Sequence, residues 1–225
     1  MLYICYMNKK KNIALGISIL LNVAFVMFFV GKRIYYSNHD FFHPPVNNLT
    51  RLLSEKPDTA DVIFLGTSLT YGFPLQEAFN NPHIKNCGQA GITTSGLITH
   101  LQQIVKRHPN KIFLEGGIND LRKNLGSEVA YNNIAKMLDM VKAESPKTTI
   151  YMQSIMPTDS SYLNKQILPL NGRIETLAKD KNVIYIDLYS ALAKNGELDR
   201  AATIDGIHFN SVGYYLWRRA IECYL

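Results

Sequence analysis

The chain has 225 residues, 47% of them hydrophobic and 19% charged, which suits one domain with a sizeable core and excludes both a wholly disordered chain and two full domains. Its formal charge of +6 does not mark a nucleic-acid binder, because Lys9, Lys10, Lys11, Lys32 and Arg33 precede residue 34 while all 18 acidic residues follow it. The rest of the chain is close to neutral and offers no electrostatic footprint for a phosphate backbone.

From Ile13 to Gly31 the sequence IALGISILLNVAFVMFFVG carries no charge. Nineteen residues at about 1.5 Å rise nearly span a hydrocarbon core of roughly 30 Å. Basic residues flank it on both sides, and Tyr35 and Tyr36 follow as interfacial anchors would. No A-x-A-type site closes the run, so residues 1–33 are expected to be an uncleaved signal anchor, a single transmembrane helix. The lysine triplet outweighs the Lys32/Arg33 pair, which predicts a cytoplasmic N-terminus and a domain outside the membrane, periplasmic or on the cell surface. Residues 34–60, with His43-Pro44-Pro45 and then Leu49, Leu52 and Leu53, read as a linker and a first surface helix.

Beyond residue 60 short apolar runs alternate with stretches of helical period. Val62–Leu65, Lys111–Leu114, Thr149–Met152 and Val183–Ile186 read as buried strands, with Ile84–Cys87 a weaker fifth. Leu97–Val105, Val129–Val141 and Leu163–Leu177 step their apolar residues as helices packed on a sheet do. A final helix is expected from about Ser211 to Tyr224, with Ser211 as its cap. The alternation predicts parallel βαβ units over residues 61–225, and in such open sheets ligands bind beyond the carboxyl ends of the strands.

Four clusters stand at such places. Gly66-Thr67-Ser68-Leu69 follows the first strand, where a serine hydroxyl would be presented at the sheet's edge. Asn86-Cys87-Gly88-Gln89-Ala90-Gly91 follows the second, and the Gly91 N–H could point at an oxyanion. Gly117-Ile118-Asn119-Asp120 follows the third, where the Asn119 amide could donate to the same charge. Ile204-Asp205-Gly206-Ile207-His208 precedes the last helix. There His208 can take a serine proton if its other ring nitrogen is held, and Asp205, three residues earlier, can hold it. Taken singly, each has an ordinary alternative as a helix cap, a glycine turn or a structural histidine.

Taken in order, the four blocks resemble those of the SGNH (GDSL-like) hydrolase family over residues 61 to 222. The family's Ser, Gly, Asn and His fall on Ser68, Gly91, Asn119 and His208. The resemblance implies a three-layer α/β/α flavodoxin-like fold with a five-stranded parallel sheet of order 2-1-3-4-5. It also implies ester hydrolysis through an acyl-enzyme on Ser68, without metal or cofactor. Asp205 and His208 complete the triad, and the N–H groups of Ser68 and Gly91 and the amide of Asn119 form the oxyanion hole. Tyr151–Pro157 together with Asn119-Asp120-Leu121 is most similar to bacterial members described as sialate O-acetylesterase-like or lysophospholipase-like, so carbohydrate O-acetyl or lipid acyl esters are the expected substrates. One position departs: Thr67 stands where the family's first block usually has aspartate, and its hydroxyl keeps a capacity for local hydrogen bonding.

Two other functions fit the same residues: acyl transfer to a sugar hydroxyl, and a catalytically silent, membrane-tethered carbohydrate-binding module. His39, His43, His83, His100 and His108 share no ligand spacing, so no metal is expected. Tyr214, Tyr215 and Trp217 read as packing groups on the final helix, and Cys5, Cys87 and Cys223 as small buried hydrophobes.

Overall fold

Four-residue runs such as Val62-Ile-Phe-Leu65 and Lys111-Ile-Phe-Leu114 are too short for a stable helix and too apolar for a loop, and they form strands buried on both faces. The computed structural model describes Met27 and residues 48–225. The chain divides into two units, Met1–Val46 and Asn47–Leu225, and the second carries every element below. Apart from Met27, the membrane span expected over residues 13–31 lies outside the described residues, as do His39, His43 and Cys5. Among the described residues no helix is long and apolar enough to cross a membrane.

The strands are β1 (Val62–Leu65), β2 (Ile84–Asn86), β3 (Lys111–Leu114), β4 (Thr149–Gln153) and β5 (Ile184–Ile186), in the order β2-β1-β3-β4-β5 and all parallel. This is the expected five-stranded sheet. Its helices are α1 (Asn48–Ser54), α2 (Ser68–Tyr71), α3 (Leu75–Phe79), α4 (Thr94–Ile104), α5 (Ile118–Arg122), α6 (Ser127–Glu144), α7 (Ser161–Asp180), α8 (Leu188–Leu192) and α9 (Ser211–Ile221). A two-stranded antiparallel ladder, β6 (Ala193–Lys194) with β7 (Glu197–Leu198), follows α8.

The period-two alternation of side chains along each strand divides the core into two. Ile63, Leu65, Ile112, Leu114, Ile150 and Met152 point to one face and cluster with residues of α1, α4, α6 and α7. Val62, Phe64, Phe113, Tyr151 and Ile186 point to the other, with Leu69, Leu75, Leu188, Leu192, Trp217 and Ile221. Three layers result. Register places Phe64, Phe113 and Tyr151 side by side, and their rings stack at 4.4 Å between successive centroids. That ladder ties β1, β3 and β4 together beneath α9. Leu49 and Leu52 of α1 are buried in the first cluster, so the helix expected in the connecting segment is packed into the domain.

The final helix is capped one residue earlier than expected. Asn210 has extended backbone dihedrals and its side chain accepts the N–H groups of Val212 and Gly213, so Asn210 is the cap and Ser211 the first helical residue. Asparagine reaches both free donors at once, which is why it displaces the serine.

Candidate active site

β1 lies between β2 and β3, so the loops leaving the carboxyl ends of these three strands are neighbours. The backbone continues the sheet's hydrogen bonding past its end: Cys87 N–H donates to Phe64 O at 2.7 Å, Gln89 N–H to Gly66 O at 3.0 Å and Glu115 N–H to Leu65 O at 3.0 Å. Ser68 opens the short helix α2 between these two loops and is half-buried.

His208 arrives from the segment before α9, 140 residues along the chain, and its Nε2 lies 3.0 Å from Ser68 Oγ. Its Nδ1 lies 2.7 Å from Asp205 Oδ2. The second carboxylate oxygen, Oδ1, accepts the N–H groups of Ile207 at 3.0 Å and His208 at 2.7 Å. One aspartate thus shapes the turn and orients the ring. Partial burial raises the Asp205 carboxyl, but the hydrogen bonds from the His208 ring and from the backbone N–H groups of His208 and Ile207 outweigh it and bring it down to about 2 from 3.8. The aspartate therefore stands ionised beside the imidazole at any neutral pH. With an acceptor on Nδ1, the imidazole carries its proton there and leaves Nε2 free to accept from the serine hydroxyl.

The two remaining site residues meet through α5. Gly91 is exposed, with φ of +70°, and Lys123 Nζ donates to its carbonyl at 2.8 Å. Asn119 is 4% exposed, and its Nδ2 donates to Ile92 O at 2.8 Å. Asp120, fully buried, accepts the N–H of Thr94 at 3.0 Å and its hydroxyl at 2.6 Å. Three residues of one short segment therefore lace the 91–94 loop in place, and one hydrogen of the Asn119 amide is left over.

Several contributors carry no motif of their own. Glu115, 2% exposed at the end of β3, accepts the N–H of Thr67 at 2.8 Å and the hydroxyls of Thr67 and Thr70. The signal that could have revealed it is one acidic residue closing the apolar run Ile112-Phe-Leu114. Tyr214 packs, as expected, between Phe73, Phe209 and Trp217. It also donates its hydroxyl to Leu69 O at 3.1 Å, so the helix behind His208 is fastened to the residue after Ser68.

Among the described residues, Asp58, Asp61 and His83 could each offer a metal one ligand atom, and those atoms lie within 4.8 Å of one another. The cluster sits before β1, at the sheet edge away from Ser68. His83 Nδ1 is paired with Asp58 at 3.2 Å and Asp61 with the Arg107 guanidinium at 3.3 Å. The Arg107 cation already meets the buried carboxylate, which fits an ion-pair network better than a cation site. Cys87 and Cys223 are free, Cys87 buried as expected and Cys223 exposed instead; burial pushes the Cys87 thiol up to about 12, so it is not a poised nucleophile.

A parallel α/β sheet whose carboxyl edge carries a serine, a histidine and an aspartate hydrogen-bonded in series is built as a serine hydrolase. Residues 64–216 match the model of the GDSL-like Lipase/Acylhydrolase family, and the chain belongs to that family, the one its four sequence blocks resemble. That membership makes it a carboxylic ester hydrolase. The chain is 25% identical to a solved protein from Streptococcus pneumonia, provisionally described as a platelet activating factor, with a TM-score of 0.72 over 86% of this chain and 98% of that one. A GDSL-like lipase from Bacteroides thetaiotaomicron, 23% identical, shares the fold with a TM-score of 0.69 over 78% of this chain and 96% of that one. Among curated relatives, the N-acylneuraminate cytidylyltransferase of Streptococcus agalactiae is 26% identical over 153 residues, which are 67% of this chain. The chain spans only 35% of that relative's length.

Proposed function

We propose that Ser68 is the nucleophile of an esterase that removes short acyl groups, acetyl above all, from carbohydrate. Ser68 Oγ attacks the ester carbonyl as His208 Nε2 takes its proton, and Asp205 orients and stabilises the imidazolium. The negative charge that develops on the carbonyl oxygen is met by the N–H groups of Ser68 and Gly91 and by the uncommitted hydrogen of the Asn119 amide. His208 then returns the proton to the departing sugar oxygen. A water, deprotonated by the same nitrogen, attacks the acyl-serine and frees the acid.

The observation that carries this reading is the unbroken series from Ser68 Oγ through His208 to Asp205, at 3.0 and 2.7 Å. The carbohydrate part rests on the name of the curated relatives, which places N-acylneuraminate among their substrates, and on the resemblance to sialate O-acetylesterase-like sequences. The anchor over residues 1–33 belongs to the same proposal. It would hold the domain at a membrane face, where cell-surface sugars are within reach.

Ser68→Ala should abolish hydrolysis of p-nitrophenyl acetate in a protein that still folds, and a fluorophosphonate probe should label the parent and not the variant. Undiminished turnover by Ser68→Ala would refute the nucleophile. A panel of esters from acetyl to palmitoyl tests the acyl group: a long-chain optimum would replace the sugar ester with a lipid. Membrane fractionation of the full chain, with residues 1–33 removed as the comparison, tests the anchor.

A further inference from the structure

Position 67 immediately precedes the nucleophile, and its threonine is fully buried. A buried hydroxyl needs partners. It has them in Glu115, whose Oε1 and Oε2 lie 3.1 and 3.0 Å from Thr67 Oγ1. Oε2 also accepts the Thr67 N–H at 2.8 Å and the Thr70 hydroxyl at 3.1 Å. Thr67 Oγ1 in turn accepts the Leu69 N–H at 3.4 Å. The carboxylate thereby touches the residue before Ser68 and, through Thr67, the residue after it, and it holds the far end of the same turn at Thr70.

The fit leaves no slack. A Cβ placed on Gly66 would stand 2.1 Å from Thr70 Oγ1 and 2.5 Å from Glu115 Oε2, so no larger residue fits at the start of the turn while this carboxylate is in place. Among the described residues no basic side chain pairs with Glu115. A buried carboxylate without a counter-charge is costly to a fold, and an apolar side chain in the same space would serve packing better. Both Glu115 oxygens are taken up by Thr67 and Thr70, and the residue is 2% exposed, so it has no free surface to offer a substrate. Its effect must therefore pass through Ser68.

We infer that Glu115 is the positioning residue of the nucleophile turn: from the end of β3 it fixes Thr67 and Thr70 so that Ser68 Oγ meets His208 Nε2. The inference rests on the reading of Ser68 as nucleophile. It also accounts for the departure at position 67, because the carboxylate that the resembled family supplies from that position is supplied here by a neighbouring strand. Threonine then becomes the apt residue, since an aspartate beside Glu115 would bring two carboxylates into contact and oblige one to hold a proton.

The test relocates the carboxylate. Glu115→Gln keeps an acceptor only at the Oε2 position, removes the charge that the three donors there share, and sets an amide N–H in place of Oε1 against Thr67 Oγ1. Misplacement of a nucleophile by about 1 Å costs on the order of 10²-fold in rate. The expected result is a kcat for p-nitrophenyl acetate lower by about 10²-fold with KM within about threefold of the parent, the signature of an interaction felt at the transition state. Labelling of Ser68 by the fluorophosphonate should slow in parallel. The double variant Thr67→Asp/Glu115→Gln restores a carboxylate to the turn and should recover at least about tenfold in kcat over Glu115→Gln. Thermal melts of each variant separate a lost fold from a lost geometry. Glu115→Gln within about threefold of the parent in kcat would overturn the inference, and so would a double variant that is unfolded, or folded and no faster than Glu115→Gln. If Glu115→Gln alone does not fold, the double variant decides: activity well above the Ser68→Ala background supports the inference. The parent and Ser68→Ala, run alongside, keep the two ideas apart. An inert parent removes both, whereas an active, Ser68-dependent parent with an indifferent Glu115 removes only this one.

Discussion

Asp205 makes two contacts of equal length with one residue: its Oδ2 lies 2.7 Å from His208 Nδ1, and its Oδ1 accepts the His208 N–H at 2.7 Å. A side chain three residues upstream thus sets both the backbone and the ring of the histidine. Replacing Asp205 with asparagine keeps the shape of the turn but can present an amide N–H to Nδ1. That favours the tautomer protonated on Nε2, which cannot accept the serine proton. Asp205→Asn is expected to lower kcat by on the order of 10³ to 10⁴-fold with little change in fold. Steady-state kinetics with p-nitrophenyl acetate, beside circular dichroism, measure both. The same carboxyl is brought from 3.8 down to about 2 by folding, so the stability it contributes is present above pH 3.8 and is lost as pH falls through about 2. Over that acid interval the parent should lose stability more steeply than Asp205→Asn. The difference should be modest, because the Asp205 side chain is half exposed to solvent.

Asn119 serves the loop and the reaction with different hydrogens of one amide. Its Nδ2 donates to Ile92 O at 2.8 Å, and the hydrogen left over is the one proposed for the oxyanion. Asn119→Ala should therefore cost about 10² to 10³-fold in kcat, the usual loss for one oxyanion donor. It should also cost some stability, because Ile92 O loses its partner. Asn119→Asp separates the two effects: it fills the volume but presents acceptors to both sites. Its kcat should be no better than that of alanine, and a variant with near-parental turnover would remove Asn119 from the oxyanion hole.

Gly206 is required by its surroundings. It lies between Asp205 and His208 with φ of +88°, and a Cβ there would stand 2.1 to 2.4 Å from the side-chain atoms of Asp159. Gly206→Ala should destabilise the domain by about 1–2 kcal/mol from the left-handed backbone alone, with a further cost from the clash. It should also lower kcat, since the N–H of Gly206 helps hold the turn to Thr203 Oγ1 at 2.9 Å. Asp159→Ala/Gly206→Ala should recover the steric part and leave the backbone part. Denaturant melts of the single and double variants give the two contributions separately. An equal stability for Gly206→Ala and the parent would show that the turn adapts.

Much of this molecule is legible in its sequence, and the reason is locality. Val62–Leu65 and Lys111–Leu114 are strands at the expected bounds because a four-residue apolar run between turn residues has few other structures open to it. Asp205 and His208 are legible as a pair because the contact spans three residues. Ser68 and Asn119 are legible because each stands directly after a strand that can be read. The rest is hidden where contacts are distant or elements are short. Glu115 and Thr67 are 48 residues apart, and neither position announces the other. Helices α2, α3 and α8 have four or five residues, too few to display a 3.6-residue period. The β6–β7 ladder pairs two residues with two, below the length at which alternation can be seen. The cap of α9 falls on Asn210 instead of Ser211, because adjacent polar residues compete for the same two N–H groups and only the folded loop decides between them.

Glu115 gives the pH dependence of stability a term of known sign. Burial raises its carboxyl above the ordinary 4.5, against the opposing hydrogen bonds from Thr67 and Thr70. The folded state therefore holds the proton to higher pH than the unfolded chain does. Between 4.5 and its raised value the folded protein binds more protons at this site, so stability falls as pH rises through that interval and levels off above it. Below 4.5 the group is protonated in both states and contributes no slope. Glu115→Gln removes the titration while keeping the size of the side chain. Plotted against pH, the melting temperature of the variant minus that of the parent should climb through this interval and be flat on either side. Parallel curves for parent and variant from pH 4 to pH 8 would mean that the Glu115 carboxyl titrates alike in the folded and unfolded chain, and the environment assigned to it under the nucleophile turn would have to be abandoned.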